Sequence, residues 1–171
     1  EEACTLPVTW STTHTALERA GLRAGGSILV QAAAGGVGLK AIEYAQWLSA
    51  AVVGTAGRPR KHAQVRVVGV AALGSSRDGA AFACGAARLL AATRSHATLN
   101  SLSLDFIAAS LAAVGEGGAF EEIGKRGIWA SQRRIAAAPR AAYCAIALDA
   151  DMSQEPAWMY GVLQKLAARR T

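Results

Sequence analysis

Short apolar runs alternate with amphipathic stretches along nearly the whole chain. Helical spacing fills Val8 to Leu22, and Gly25-Gly26 then leads into an apolar run of strand length, Ser27–Ala32. Leu39, Ala41, Ile42, Ala45 and Leu48 share one face of a helix over 36–48. The turn after it places Ser49 where a left-handed cap favours glycine. A second strand is predicted over 51–55, a short helix from Pro59 to Val68, and a brief third strand over Val70–Leu73. Beyond the loop Gly74–Gly79, the spacing of Phe82, Ala86, Leu89 and Leu90 predicts an amphipathic helix over Ala80–Ala92. A strand over His96–Leu99, a helix over Leu102–Val114 and a strand over Ala119–Ile123 follow. The stretch 124–140 is basic and aperiodic, and Ala142–Leu148 reads as a sixth strand. A last helix starts from a Ser153 N-cap, with Glu155 and Pro156 in its first turn, and ends at Lys165–Arg170. Strands alternating with helices in this way predict an α/β fold with a doubly wound, six-stranded parallel sheet and helices on both faces.

The junction of the first strand with the next helix carries the chemistry. Residues 28–38, Ile-Leu-Val-Gln-Ala-Ala-Ala-Gly-Gly-Val-Gly, run from strand into a glycine cluster and directly into the helix. Glycines there let the backbone turn tightly and approach a pyrophosphate, whose charge sits on free N–H groups at the positive end of the helix dipole. Read as G-x-G-x-x-G, the key positions are Ala33, Gly35 and Gly38, with alanine in place of the first glycine. The expected architecture is therefore a Rossmann dinucleotide-binding fold. An NAD site wants Asp or Glu at the end of the second strand, to accept from the ribose 2′-hydroxyl. No acid occurs between Glu43 and Asp78, and Thr55-Ala56-Gly57 leads instead to Arg58, Arg60 and Lys61. A 2′-phosphate is the natural partner of such a cluster, which makes NADPH the predicted cofactor. A solvated basic turn is the plainer alternative.

Composition narrows the partners. With 171 residues, 52% of them hydrophobic and 18% charged, the chain has the length of one domain and can bury a core. Glycine and serine interrupt its uncharged stretches, so none reads as a membrane span. The start, Glu1-Glu2-Ala3-Cys4, has no initiator Met, basic n-region or apolar h-region, which suits a mature form or a piece of something longer. Cys4, Cys84 and Cys144, taken with His14, His62 and His96, offer no zinc-ligand spacing. The expectation is no metal, and buried reduced thiols in a reducing intracellular compartment, the cytoplasm. Of 18 cations 14 are arginines, scattered without aromatic interleaving, so nucleic acid is a poor fit for the net charge of +6. A basic rim around a phosphate-bearing cofactor, or a face for an acidic partner, uses them better.

Several segments occur in an order and spacing that resemble one family. They are Val8-Thr9-Trp10-Ser11-Thr12, Ala33–Gly38, Thr55-Ala56-Gly57 with Lys61, Ser76-Arg77-Asp78 with Phe82, Leu99-Asn100-Ser101-Leu102 and Glu122-Ile123-Gly124-Lys125. Together they are similar to the enoyl reductase domains of modular polyketide synthases and animal-type fatty acid synthases, a zinc-free branch of the medium-chain dehydrogenase/reductase superfamily. The likeness covers nearly the whole chain, and its specific part is the Leu-Asn-Ser-Leu and Glu-Ile-Gly-Lys pair. It implies a hinge helix over 1–26 and an NADP-binding Rossmann domain over 27–171, with the family's GroES-like substrate domain absent.

In that family NADPH delivers hydride to the β-carbon of an α,β-unsaturated thioester held on an acyl carrier protein, and the enolate is then protonated at the α-carbon. The resemblance implies Lys125 and Asp149 as the polar catalytic pair, with Asp149 at the end of the sixth strand and Asp151 as its rival. A lysine there can stabilise the enolate oxygen or deliver the proton, and a carboxylate can orient it; a surface ion pair is the plainer reading. The candidate cofactor contacts are Ala33, Gly35, Gly36, Val37, Gly38, Thr55, Gly57, Arg58 and Lys61, joined through the resemblance by Arg77, Asn100, Ser101 and Leu102. Asn100 reads equally as a helix N-cap, and Arg77 as a loop arginine. His96 is expected to be structural, as are Tyr44, Tyr143 and Tyr160 on core patterns. Trp129 with Arg126, Arg133, Arg134 and Arg140 suits a carrier-protein contact or a solvated loop. The implied setting is beside neighbouring synthase domains, inactive without the substrate domain, with a homodimer through the edge near strand six as a superfamily habit. Two other readings stay open: a non-catalytic Rossmann subunit kept as a structural or protein-binding component, and a quinone or enone reductase fragment.

Overall fold

The structure, a computed structural model, describes residues 2–70, 72–89 and 94–168, the side chains of 2–6 and 89 excepted. Six strands form one sheet: β1 (Ser27–Val30), β2 (Ala51–Ala56), β3 (Ala72–Ser75), β4 (Ser95–Asn100), β5 (Val114–Glu122) and β6 (Ala142–Ala145). Their order is β3-β2-β1-β4-β5-β6, and every neighbouring pair is parallel. The helices are α1 (Glu2–Arg19), α2 (Gly36–Trp47), α3 (Pro59–Val67), α4 (Gly79–Leu89), α5 (Asp105–Ala113), α6 (Ser131–Ala137), α7 (Leu148–Gln154) and α8 (Pro156–Ala168). This is the doubly wound Rossmann sheet that the alternating pattern predicts. Among the described residues no helix is long and apolar enough to cross a membrane.

The central strands are apolar at successive positions because both faces are covered. Ile28 and Val30 point to one side, into a core shared with Ala16 and Leu17 of α1, Ala41, Ile42 and Ala45 of α2, and Val65 of α3. Leu29 points to the other, against Phe82 and Ala86 of α4. Further along that second face, Phe120 packs with Ile107 and Leu111 of α5 and stacks on Tyr143 at 5.3 Å. Ser49 takes φ 56°, the left-handed cap its position called for, and Ala50 N–H reaches back to the Ala45 carbonyl at 2.8 Å.

Several boundaries differ from the sequence expectation. The first helix begins before Val8 and accommodates Pro7, and the third strand lies at 72–75 rather than 70–73. The fifth strand starts at Val114, and its helix α5 starts at Asp105 because Leu104 breaks the backbone with φ 61°. The basic stretch contains a helix, α6. Most consequential is the sixth strand, which stops at Ala145. Ile146 N–H still bonds the Glu122 carbonyl at 2.8 Å, but the Ala147 carbonyl then takes the N–H groups of Ala150 and Asp151, both at 2.9 Å, and starts α7. Ser153 is inside α7, its hydroxyl donating to the Asp149 carbonyl at 2.8 Å, so it is not an N-cap; Pro156 heads α8. Cys84 is exposed and Cys144 half-buried, so these thiols are not the buried core residues expected. Tyr160 is exposed as well, unlike Tyr44. Leu90, the side chains of Cys4 and Leu89, and the predicted helix end at Arg170 lie outside what is described.

Candidate functional site

Strand order reverses between β1 and β4, so the loops leaving their carboxyl ends diverge and open a crevice there. After β1 the chain turns through Ala32, at φ 50°, and Gly35 N–H closes the turn on the Ala32 carbonyl at 2.8 Å. Gly35 is the N-cap of α2. It supplies no side-chain cap, and the first turn of α2 holds no acid, so the N–H groups at this helix end are left for an anion. The cradle is closed to side chains: a Cβ at Gly38 would lie 2.7 Å from three backbone atoms of Ala32 and Ala33. Ala33, in place of the fingerprint's first glycine, is fully buried, and its methyl faces Gly54 of β2, where an added Cβ would come within 3.0 Å of it.

A buried polar network supports this loop from below. Thr55 Oγ1 accepts the Ala32 N–H at 3.0 Å and donates to Gln31 Oε1 at 2.7 Å, while Gln31 Nε2 donates to Ser110 Oγ at 2.6 Å. The Thr55 carbonyl takes the Ala33 N–H at 2.8 Å. Thr55 thus holds the loop rather than lining it. Gln31 and Ser110 belong to no motif, and only their polarity at buried-pattern positions could have flagged them.

At the end of β2 a cavity of about 410 Å³ is lined by Gly57, Arg58, His62, Arg66 and Ser75, with no carboxylate among the described lining residues. His62 Nε2 donates to the Ala56 carbonyl at 2.7 Å. Arg77 crosses Gly57, where a Cβ would sit 2.7 Å from its Nε. Asp78 Oδ1 accepts the Ala81 N–H at 2.9 Å and so caps α4. Sequence reasoning chose Lys61 and Arg60, neither of which lines this cavity, and missed Arg66, which returns to it along α3.

Across the crevice, the ends of β4 and β5 carry a second network. Asn100 is fully buried, and its Nδ2 donates to the Leu102 carbonyl at 2.7 Å and to Glu122 Oε2 at 2.8 Å. Asn100 is a strand residue here and not a helix N-cap, a position Leu104 holds. Ser101 Oγ reaches the Gln31 carbonyl at 3.4 Å, joining this side to the glycine loop. Burial pushes the Glu122 carboxyl above its ordinary pKa, and the hydrogen bonds from Asn100 and Gly124 lower it. Its neighbour Glu121 faces the other side of the sheet and is pushed up to about 7 by burial, against the pull of Arg19.

Lys125 follows at the sheet edge, its Nζ 3.2 Å from Asp149 Oδ2, with the two side chains 72% and 74% exposed. Lysine hydrogen bonding holds Asp149 below the usual carboxylate pKa. Asp149 sits in the first turn of α7 and not at a strand end; Asp151 turns instead to Arg19 at 3.4 Å. Arg133 stacks on Trp129 and Arg134 on Tyr143, each at 3.7 Å, while Arg140 pairs with Glu116 at 2.8 Å. His96 accepts the Ser27 N–H at 3.0 Å, at the amino ends of β4 and β1, away from the crevice.

A doubly wound parallel sheet with a side-chain-free loop at its switch point defines a Rossmann-type nucleotide-binding domain. No family model matches the chain. It is 42% identical over 130 residues to the spectinabilin polyketide synthase system protein NorB of Streptomyces orinoci, covering 74% of this chain and 6% of that protein. The CurK enoyl reductase superposes with a TM-score of 0.91 at 32% identity, over 99% of this chain and 51% of that one. The nucleotide-binding subdomain of the enoylreductase domain of PpsC from Mycobacterium tuberculosis gives 0.85 at 27% identity, over 95% and 92% of the two chains. The chain is therefore a homologue of the enoyl reductase regions of polyketide synthases, and its fold is that of their nucleotide-binding part. It spans a small fraction of the synthase it matches and about half of CurK.

Proposed function

We propose that this chain is the nucleotide-binding portion of an NADPH-dependent enoyl-thioester reductase. The observation that carries the cofactor choice is the cavity at the end of β2, which Arg58 and Arg66 both line and which has no carboxylate among its described lining residues to meet a ribose 2′-hydroxyl. Gly35, Gly36, Val37 and Gly38 would hold the pyrophosphate on the amino end of α2, and a Cβ at Gly38 would fill that cradle. When bound, the cofactor supplies hydride for the β-carbon of an α,β-unsaturated thioester. Lys125 would offer its ammonium to the thioester oxygen as negative charge develops, or give up a proton at the α-carbon. Asp149 would orient that ammonium through their ion pair. The substrate would arrive on an acyl carrier protein, among neighbouring synthase domains, with residues 1–26 as the connection to a substrate half and 27–171 as the cofactor half.

The test is titration of the chain with NADPH and NADH by nicotinamide fluorescence. NADPH should bind more tightly, and Arg58→Ala and Arg66→Ala should each weaken it about tenfold while leaving NADH unchanged. Equal affinity for the two dinucleotides, or no loss in either variant, would overturn the assignment.

A further inference from the structure

Glu122 is 2% exposed, yet it lies only three residues from the exposed Lys125. Its Oε1 accepts the Gly124 N–H at 2.7 Å, and its Oε2 accepts Asn100 Nδ2 at 2.8 Å. Asn100 spends its other amide hydrogen on the Leu102 carbonyl at 2.7 Å, which fixes the orientation of the amide. One carboxylate therefore ties the segment leaving β4 to the segment leaving β5. The seat is tight: a Cβ at Gly124 would come within 2.6 Å of Oε1, so anything larger than glycine would push the carboxylate aside. Asn100 Oδ1 is left buried without a partner among the described residues. A core built for stability alone would avoid this arrangement, because an unmatched buried acceptor costs free energy.

We propose that Glu122 is a positioning residue: its carboxylate sets Asn100–Leu102 and Gly124–Lys125 as one body, which presents the nicotinamide end of the dinucleotide site. This rests on the dinucleotide reading above. The carboxylate is needed for its two acceptors. In Glu122→Gln one oxygen becomes an NH₂ that faces either Gly124 N–H or Asn100 Nδ2, both donors. Turning the Asn100 amide to accept from it takes the donor away from Leu102. In either case one strut between the loops is lost, with little change in volume. The adenosine half of the site, at the end of β2, is untouched.

The experiment compares two probes on the chain, NADPH and adenosine 2′,5′-bisphosphate, which lacks the nicotinamide half. Glu122→Gln should weaken NADPH about tenfold and reduce its fluorescence enhancement, while the bisphosphate stays within about twofold, as expected for one lost hydrogen bond. Gly124→Ala, which displaces the carboxylate from the opposite side, should reproduce this selective loss and provides the test if the glutamine variant does not fold. An equal loss of both probes, or no loss of NADPH, would show a merely structural glutamate and overturn the proposal. If the unsubstituted chain binds neither probe, the dinucleotide reading falls and takes this proposal with it; if it binds both, the variants judge the proposal alone.

Discussion

The glycine-loop end of the crevice and its Lys125 end are built on different terms. Around the loop every functional group is backbone, and each is held by buried contacts: Thr55, Gln31 and Ser110 lie below it and Gly38 is packed to the limit of its space. At the other end the functional groups are two charged side chains in water, joined by a single exposed ion pair. Such a pair contributes little to stability and is screened by salt. A site made of backbone must be finished when the chain folds, whereas a site made of long side chains can wait for a second surface to desolvate it. The contrast assigns each end its own experimental signature.

The sharpest break should come from Gly38→Ala. A methyl 2.7 Å from three backbone atoms cannot be relieved by a side-chain rotation. The expected cost is about 3 kcal/mol, or roughly 10 °C in Tm, with NADPH binding abolished. Calorimetry showing an unchanged Tm would mean that the loop is not the rigid cradle described.

Next in size is Glu121→Gln, on the face of β5 opposite Glu122. The folded carboxyl holds its proton up to about pH 7, whereas the unfolded one loses it near 4.5. The folded state binds more protons in that window, so stability falls as pH rises from about 4.5 to 7 and stays low above it. Glutamine should remove the slope and raise stability at pH 8 by at most about 3 kcal/mol, with little change at pH 4. Urea denaturation at the two pH values reads the difference, and parallel wild-type and variant profiles would refute it.

The smallest effect belongs to the exposed pair. Lys125→Met should leave Tm where it was and move the Asp149 carboxyl midpoint upward, as followed by NMR titration, because the lysine hydrogen bond is the largest of the effects that lower it, ahead of the backbone hydrogen bonds of its own helix turn. A midpoint that does not move would separate the two residues and remove the reason for treating them as a unit.

The alternation of strands with helices and the glycine loop were legible because both rest on local patterns: apolar runs of strand length, and glycines between a strand and a helix. The end of the chain was less so. Ala142–Leu148 is uniformly apolar, but β6 has only one neighbour, and its pairing with β5 ends at Glu122 and Ala145. Nothing in the run of side chains marks where an edge strand leaves its partner. α6 was hidden by its arginines, whose guanidinium groups stack on Trp129 and Tyr143 instead of forming an apolar stripe. Within the site, Arg66 was missed because sequence proximity favoured Lys61, while helix geometry puts residue 66 two turns on from 58 on the side that lines the same cavity. Glu121 and Glu122 look like a solvated strand end. They are buried because β5 is flanked on both sides, a fact of topology that no window of residues contains.

Ala33 is fitted against Gly54 of β2. The two positions share the space of a single methyl between β1 and β2, and that methyl now sits at 33. In terms of volume they act as one position. Glycine at 33 would relieve the tightest of the contacts an alanine at 54 would make, whereas alanine at both crowds the same space. The alanine at the fingerprint's first position is thus matched in volume by the glycine it faces across the turn.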